Sequence, residues 1–373
     1  MSIKGGPHIE TDGLVLYYDV DNVDSYPGEP TTNLINYPDF QNDSTTGWVN
    51  NQSATLTATT HEGRKCMKVT STTATSTPGT KKNPTISVSP NTTYRISQWG
   101  KNGPSGLMRW YIIGEVSGQL VWTSCGHNSS GWTRQTTTFT TGASDTYITL
   151  YYLWSGVAVG YYWYLTDVQL EVDKGHVTQF VNGTRSTTDG LKDLSGQANH
   201  ADLATTTYDS NALIDYDGSS ESVITSTADL APGTGDFSAS FWIYPRDWSG
   251  TWRAILVVKT TGGFWLGVGS GVFIVRAYSV GNLLSYSTLP TLNVWTNIGV
   301  SRIGTTLTLY YNGLPVQTAT SAQDFVQAEA EVGSDGGSAG FDGKINTSQF
   351  YNQGLTSQEF LNNYNAIKSR FGH

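Results

Sequence analysis

The side chains that most often carry out catalysis are scattered along this chain of 373 residues. Hydrolysis of a sugar needs two carboxylates facing each other across a cleft, and the densest acidic group, "DVDNVD" at 19–24, is typical of a turn after a strand. No G-x-S-x-G, H-E-x-x-H or P-loop pattern occurs. No pair at a metal-ligand spacing is found among His8, His61, His127, His176, His200 and His373. We therefore expect a protein that is not an enzyme and has no catalytic residues.

Aromatic side chains offer a different chemistry, which is stacking against sugar rings. The chain has 12 Trp and 21 Tyr, and "MRWYIIG", "LVWTSCGHNSSGW" and "TLYYLWSGVAVGYYWY" carry many of them beside amide groups. In an alternating strand, however, half of the side chains face the core, and Trp and Tyr are large enough to pack there. For each of Trp110, Trp122 and Trp154 a core position is favoured over a ligand contact. No glycan-binding residue is therefore assigned.

The two cysteines, Cys66 and Cys125, have no C-x-x-C spacing, which excludes a zinc site of that kind. Both lie in strand-like contexts, and cysteine is among the residues most often buried. We expect two reduced thiols in the core. A single disulfide between them is the alternative.

The charge and the apolar content of the chain argue against two partners, nucleic acids and the lipid bilayer. The formal net charge is −9, and the densest basic stretches, "GRKCMKV" and "GTKKN", are too small to neutralise a run of phosphates. Residues 1–30 lack the pattern of a secretory signal, and no stretch approaches the roughly 20 apolar residues of a membrane span. We expect a protein made soluble in the cytoplasm, with neither nucleic-acid binding nor membrane insertion. Charged residues are only 14% and there are 41 Gly, a mixture common in extracellular and virion proteins.

The elements that must position these residues are strands. Short alternating runs rich in Val, Ile, Thr, Tyr and Trp end at Gly, Asn or Pro throughout the chain. They predict about twenty strands at the spacing of β-sandwiches and jelly rolls, an all-β fold of two such domains. "LTLYYNGLPVQTA" predicts a hairpin with Asn312-Gly313 at its turn, where positive φ is needed.

One short α-helix is predicted at the C-terminus, in "LTSQEFLNNYNAIKSRFG". Thr356 and Glu359 have the spacing of a capping box, and Leu355 and Phe360 that of a hydrophobic staple. Gly372 can end the helix. We expect it to lie across the outside of a sandwich through one apolar stripe. The stripe consists of Phe360, Leu361, Tyr364 and Ile367.

The letters TDGL occur twice, at 11–14 and 188–191, and raise the question of an internal repeat. The first copy continues as the apolar strand "LVLYYDV", and the second as the loop "KDLSGQANHADL". A true repeat would keep its periodicity, so these are not two copies of one domain. Strands at 33–181 and at 185–373 instead suggest two separate sandwiches.

Residues 185–373 resemble a laminin-G-like, concanavalin-A-like sandwich. The resemblance rests on "LKDLSGQANHADL", "GDFSASFWIYP", "NVWTNIGVSR" and above all "FDGKINTSQFYNQGLTSQEFLNNYNAIKSRFG". In that family a first strand like "TDGLVLYYDVDN" runs almost directly into a segment like "DLSGQANH". Here the two are far apart. The resemblance therefore implies one discontinuous domain, formed by residues 1–30 and 183–373.

The segment between them, 31–182, resembles a carbohydrate-binding-module jelly roll inserted after the first strand. Its matching residues are "NLINYPDF", Gly47-Trp48, "NTTYRISQWGK" and "DVQLE". The resemblance implies no cofactor except a structural Ca²⁺ in either domain. In the inserted module, Asp167 would be one ligand. The second ligand in the family is an acid after Phe40, where this chain has Gln41. Asp39 or Glu62 would have to take the place of that acid. The candidates in the other domain are Asp335 and Asp342.

One such module inside the other resembles structural proteins of large tailed phages, cyanophages among them. The resemblance implies a non-enzymatic virion protein, such as a fibre, spike or decoration protein on head or tail. Its partners would be other virion proteins and host-surface glycans, and it would be a homo-oligomer, with a trimer as the first expectation. Two alternatives stay open. One is a glycan-binding, lectin-like module, and the other is a non-catalytic fragment of a secreted polysaccharide-degrading enzyme.

Overall fold

The structure, a computed structural model, describes residues 8–74, 77–103, 107–127, 130–155, 158–203, 205–219, 222–224, 230–326, 328–335 and 339–373. The chain divides into two compact units. Met1–Pro30 and Ser186–His373 form the first, called here the interrupted unit. Thr31–Arg185 form the second, called the inserted unit.

The strands are numbered along the chain. The interrupted unit begins with β1 (Leu14–Asp19). The inserted unit contains β2 (Thr31–Thr32), β3 (Trp48–Asn51), β4 (Ala54–His61), β5 (Arg64–Ser71), β6 (Gly79–Lys82), β7 (Ile86–Ser87), β8 (Thr93–Asn102), β9 (Leu107–Gly114), β10 (Gly118–Ser124), β11 (Thr133–Thr140), β12 (Tyr147–Ser155), β13 (Tyr162–Val172) and β14 (Thr184–Arg185).

The interrupted unit continues with β15 (Ala201–Asp202), β16 (Tyr216–Asp217), β17 (Ser222–Ile224), β18 (Phe237–Pro245), β19 (Trp252–Val258), β20 (Phe264–Gly269), β21 (Val272–Ala277), β22 (Gly281–Tyr286), β23 (Thr296–Ile303), β24 (Thr306–Tyr311), β25 (Leu314–Thr320), β26 (Ala330–Val332) and β27 (Asp342–Tyr351). The helix α1 (Ser357–Ile367) follows β27. The predicted all-β fold with one short C-terminal helix is confirmed.

In the inserted unit two antiparallel sheets enclose one apolar core. The cleft sheet, named for the cleft on its outer face, has the order β10-β9-β12-β6-β3, with β7 also paired to β12. The opposite sheet has the order β11-β8-β13-β5-β4. The alternation of β9 explains its place, since Met108, Trp110 and Ile112 are buried in the core while Arg109 and Tyr111 are only partly buried.

The interrupted unit is a second sandwich. One sheet has the order β1-β27-β18-β23-β24-β25, with β16 paired to β27, and the other has the order β15-β17-β26-β19-β20-β21-β22. β1 pairs antiparallel with β27, so that Tyr17 faces Gln349 and Asp19 faces Thr347. Leu16 and Tyr18 lie in the core of this unit. A strand near the N-terminus is therefore hydrogen-bonded to the last strand of the chain.

The predicted hairpin and helix cap are confirmed. Asn312 and Gly313 have φ of 50° and 76° between β24 and β25. The Thr356 side chain accepts a hydrogen bond from the Glu359 amide, and the Glu359 carboxylate accepts one from the Thr356 amide at 2.7 Å. α1 ends at Ile367, and a 3-10 helix over Lys368–Phe371 follows, with Gly372 as its C-cap in the left-handed conformation. No helix in the described part of the chain is long and apolar enough to cross a lipid bilayer.

The apolar stripe of α1 differs from the prediction in one respect. Phe360 is fully buried, as expected, but Leu361, Tyr364 and Ile367 are only partly buried. Asn363 is buried instead, because its amide accepts from the Glu10 backbone at 2.7 Å and donates to the Tyr351 hydroxyl at 3.1 Å. The helix therefore packs through the buried Phe360 ring, the two hydrogen bonds of Asn363, and Tyr364, which stacks on Trp242 with centroids 5.6 Å apart.

Candidate functional site

A row of aromatic side chains crosses the outer face of the cleft sheet. Trp122 on β10 is paired with Tyr111 on β9, Tyr111 with Tyr151 on β12, and Tyr151 with Lys81 on β6. Directly paired residues on antiparallel strands point to the same face. The neighbours Trp110 and Tyr152 point the other way and are buried in the core. The pleat therefore gathers three rings from three strands on one surface.

The three rings form a continuous platform. Tyr111 meets Trp122 edge to face, with centroids 5.1 Å apart and planes at 88°, and it lies 5.6 Å from Tyr151 at 40°. The Trp122 side chain is 39% exposed, whereas Trp110 and Trp154 are 2% and 0% exposed. Of the three tryptophans singled out in the sequence, only Trp122 can therefore contact a ligand, and the other two fill the core.

A cleft of about 410 Å³ lies over this platform. Beside the rings it presents side-chain amides and a hydroxyl, which can exchange hydrogen bonds with the hydroxyl groups of a sugar while the rings stack on its apolar face. A few polar groups on an aromatic floor is the usual composition of a small-ligand site. The lining residues are Asn51, Gln52, Thr77, Tyr111, Gln119, Trp122, Tyr151 and Leu153.

A larger cleft of about 630 Å³ lies elsewhere in the inserted unit, around Asp39 and Asn182. Its rings are Tyr37 and Phe40, and Phe40 is buried in the core. The Asn182 amide donates to the Asp39 carboxylate at 2.8 Å, so the acid is already satisfied. Because it lacks a row of exposed rings, this cleft is a weaker candidate for sugar binding despite its size.

The predicted Ca²⁺ ligands of the inserted unit are partnered by protein groups. The Asp167 carboxylate lies 3.6 Å from Nη1 of Arg64. Burial raises the pKa of Asp167, and the positive charge of Arg64 opposes that rise. Glu62 is hydrogen-bonded to Lys101, and the backbone amide of Gln41 faces the Asp39 carboxylate at 3.4 Å. The Asp167 carboxylate is therefore paired with the guanidinium of Arg64.

The candidates in the interrupted unit are also engaged. Asp335 accepts from the Trp265 indole at 3.3 Å, and Asp342 accepts from Arg246 Nε at 2.8 Å. Within the described ranges, no group of three or more His, Cys, Asp or Glu side chains is arranged to hold a metal. The acids that the resemblance suggested as Ca²⁺ ligands are therefore each engaged by other protein groups.

The remaining chemical candidates have structural roles. In "DVDNVD", the Asp19 carboxylate binds Arg370 with contacts of 2.6 and 2.8 Å, and the predicted turn closes with a 3.0 Å bond from the Asn22 amide to the Asp19 carbonyl. Cys66 and Cys125 are buried free thiols. Burial raises the pKa of the Cys66 thiol to about 11. A thiol in that state is a poor nucleophile at neutral pH.

Tyr111 and Tyr151 were not among the residues singled out from the sequence, although a signal for them was present. In "MRWYIIG" and "LYYLW" the alternation separates these tyrosines from the core residues Trp110, Ile112 and Tyr152. What the alternation leaves undecided is which of its two faces is the core, and that depends on the second sheet.

Two family models match the chain. Residues 32–155 match a model described as a carbohydrate binding domain. Residues 217–360 match a laminin-G model described as the concanavalin A-like lectin/glucanases superfamily. The first match contains every lining residue of the 410 Å³ cleft over the Trp122, Tyr111 and Tyr151 rings, called here the aromatic cleft. Neither model describes a virion protein. No curated protein matches the chain.

Solved structures with similarity to this chain include several binding domains. The binding domain of a paraclostridial mosquitocidal protein is 16% identical, with 48% of this chain and 50% of that chain covered and a TM-score of 0.40. A different kind of match is the enzymatically active domain of tailspike protein 4 of bacteriophage CBA120, which is 11% identical, with 38% of this chain and 22% of that chain covered and a TM-score of 0.31. Domain 4 of an arabinanase from Geobacillus stearothermophilus, in complex with arabinotriose, is 16% identical, with 48% of this chain and 95% of that chain covered and a TM-score of 0.37. This chain thus spans half or less of the first two.

Proposed function

We propose that the inserted unit binds a glycan in its aromatic cleft and does so without catalysing a reaction. The observation that carries the proposal is the row formed by Trp122, Tyr111 and Tyr151 on one face of the cleft sheet. The match of residues 32–155 to a carbohydrate binding domain supports it. The sugar ring would stack on the exposed indole, and Gln119 and Asn51 would exchange hydrogen bonds with its hydroxyl groups.

The test is glycan-array binding by the full chain and by Trp122→Ala. We expect the wild-type protein to bind a defined set of glycans and the variant to lose about tenfold or more in affinity, the effect of removing a central aromatic anchor. Tyr147→Ala is the matched control, because Tyr147 is also 39% exposed and also on the cleft sheet but does not line the cleft. An empty array, or equal binding by Trp122→Ala, would refute the proposal.

A second proposal concerns where the protein works. We propose that it is a structural component of a tailed-phage virion, a fibre, spike or decoration protein that assembles as a homo-oligomer, first expected to be a trimer. The observation that favours this role is a laminin-G-like sandwich interrupted after its first strand by a second module, the arrangement on which the phage resemblance rests. Mass spectrometry of purified particles should then detect the chain, and light scattering should give its subunit number. Particles that lack the chain would exclude the role.

A further inference from the structure

Two cationic side chains stand on the same sheet face as the aromatic row. Lys81 on β6 is the direct partner of Tyr151, and Arg109 on β9 is the direct partner of Leu153. Tyr151 and Leu153 both line the cleft. Lys81 and Arg109 do not line the cleft themselves, but each is the cross-strand partner of a residue that does, on the same face of the sheet.

Neither cation is neutralised by a described carboxylate. Arg109 lies against the Trp122 ring, with Cζ 5.5 Å from its centroid, and its buried Nε has no hydrogen-bond partner among the described residues. Four other cations of the same unit are paired with acids. These ion pairs are Arg64–Asp167, Lys65–Asp43, Arg95–Asp173 and Lys101–Glu62.

Among the residues that the structure describes, no acidic side chain lines the cleft. Its polar lining is made of amides, a threonine hydroxyl and tyrosines. The acid that follows β9, Glu115, lies two pleat repeats along the chain from Tyr111. Its carboxylate accepts a hydrogen bond from the Thr146 hydroxyl at 2.8 Å. In a chain of net charge −9, a ligand in the cleft would therefore meet locally positive charge.

We propose that the glycan bound in this cleft is anionic and carries carboxylate or sulfate groups. This inference rests on the proposed function and specifies its ligand class. The guanidinium of Arg109 presents donors in a planar fork that suits a carboxylate or a sulfate, and the ammonium of Lys81 adds a second positive charge across the platform. The rings would bind the apolar faces of the sugars, and the two cations would select for their charge.

The experiment measures binding of the full chain to two matched pairs of polysaccharides by affinity electrophoresis and calorimetry. One pair is polygalacturonate and its methyl-esterified form, and the other is dextran sulfate and dextran. We expect tighter binding of the charged member of at least one pair, weakening as NaCl is raised. The pair that shows the difference identifies carboxylate or sulfate as the preferred group.

Lys81→Gln tests the side chain itself. We expect it to weaken binding of the charged member about two- to fivefold, the range for one partly exposed charge contact, and to leave the neutral member unaffected. Lys68→Gln is the matched control, since it removes the same charge from β5 of the opposite sheet, where Lys68 lies over the Tyr162 ring.

The outcomes separate this inference from the function on which it rests. Equal binding of charged and neutral members, binding of neither, or an equal effect of Lys81→Gln and Lys68→Gln overturns the anionic preference. In each of those cases the glycan array with Trp122→Ala still decides whether the cleft binds sugars. Neutral glycans bound on the array through Trp122 would leave the proposed function standing and refute the charge preference.

Discussion

At the scale of single residues, His127 shows how the inserted unit accommodates a buried titratable group. Its ring nitrogens lie 3.1 Å from the Gln98 amide nitrogen and 2.9 Å from the Thr133 hydroxyl. The ring occupies the space above Gly100, where an added Cβ would come within 2.4 Å of Nε2. Burial lowers the pKa of His127 to about 4. The histidine is therefore neutral in the folded protein at neutral pH.

This gives a prediction for acid stability. The unfolded chain binds a proton at His127 near pH 6.5, whereas the folded chain does so only near pH 4. The stabilisation that the neutral ring contributes is therefore fully present above pH 6.5 and is lost as the pH falls from 6.5 to about 4. The contribution of this one group is about 3 kcal/mol. His127→Gln should flatten the wild-type decrease in unfolding free energy over this range, measured by urea denaturation. His8→Gln, which replaces an exposed histidine, should show the same decrease as the wild type. If His127→Gln also showed the wild-type decrease, His127 would not be the group responsible.

At the scale of elements, the Phe360 ring makes the closest contact between the helix α1 and the sheet on which it packs. Phe360 stacks on Tyr310 of β24, with centroids 4.0 Å apart and planes at 15°. The same ring covers Gly299 of β23, where an added Cβ would lie 2.3 Å from Phe360 Cε1. The glycine is therefore needed for the close approach of helix and sheet.

We predict that Gly299→Ala destabilises the interrupted unit by about 1–3 kcal/mol, because the extra methyl forces the helix off the sheet. The measurement is chemical denaturation followed by circular dichroism. Gly281→Ala is the control, since Gly281 lies in β22 of the same unit and an added Cβ there meets nothing within 4 Å. Equal effects of the two substitutions would show that backbone flexibility, and not packing under Phe360, is responsible.

At the scale of the whole molecule, the chain leaves and re-enters the interrupted unit at adjacent points. Thr31 on β2 is paired with Arg185 on β14, so the two ends of the inserted unit are neighbours in a short antiparallel ladder. Paired residues in such a ladder lie about 4.5–5.5 Å apart. A connection of a few residues can therefore replace the inserted unit, whereas β1 has no such substitute.

We accordingly predict that a chain with residues 31–185 replaced by a short Gly/Ser linker folds cooperatively. A chain that starts at Ser186 should be poorly soluble, because β27 then lacks its partner β1 and the core lacks Leu16 and Tyr18. Supplying residues 8–28 by fusion should restore folding. Thermal unfolding measures whether each chain folds cooperatively, and size-exclusion chromatography measures whether it stays soluble. Normal folding of the chain from Ser186 alone would refute the discontinuous-domain hypothesis.

Much of the local structure could be predicted from neighbouring residues. The capping box of Thr356 and Glu359 and the turn at Asn312-Gly313 need only a few residues, so their motifs suffice. The site could be predicted only in part. Trp122 was one of three equivalent tryptophans in the sequence, and the acids proposed as Ca²⁺ ligands could not be recognised as partners of Arg64 and Lys101, which are remote in the chain.

By itself the sequence determined the fold class and the supply of rings and amides, because strand alternation, turn residues and helix caps act over short distances. Only the tertiary structure decided which face of each strand is the core and which strands are neighbours. That choice buried Trp110 and Trp154, exposed Trp122, and aligned Trp122 with Tyr111 and Tyr151. The physical reason is that a pleat offers two equivalent faces until a second sheet covers one of them, and the cleft lies on the face left uncovered.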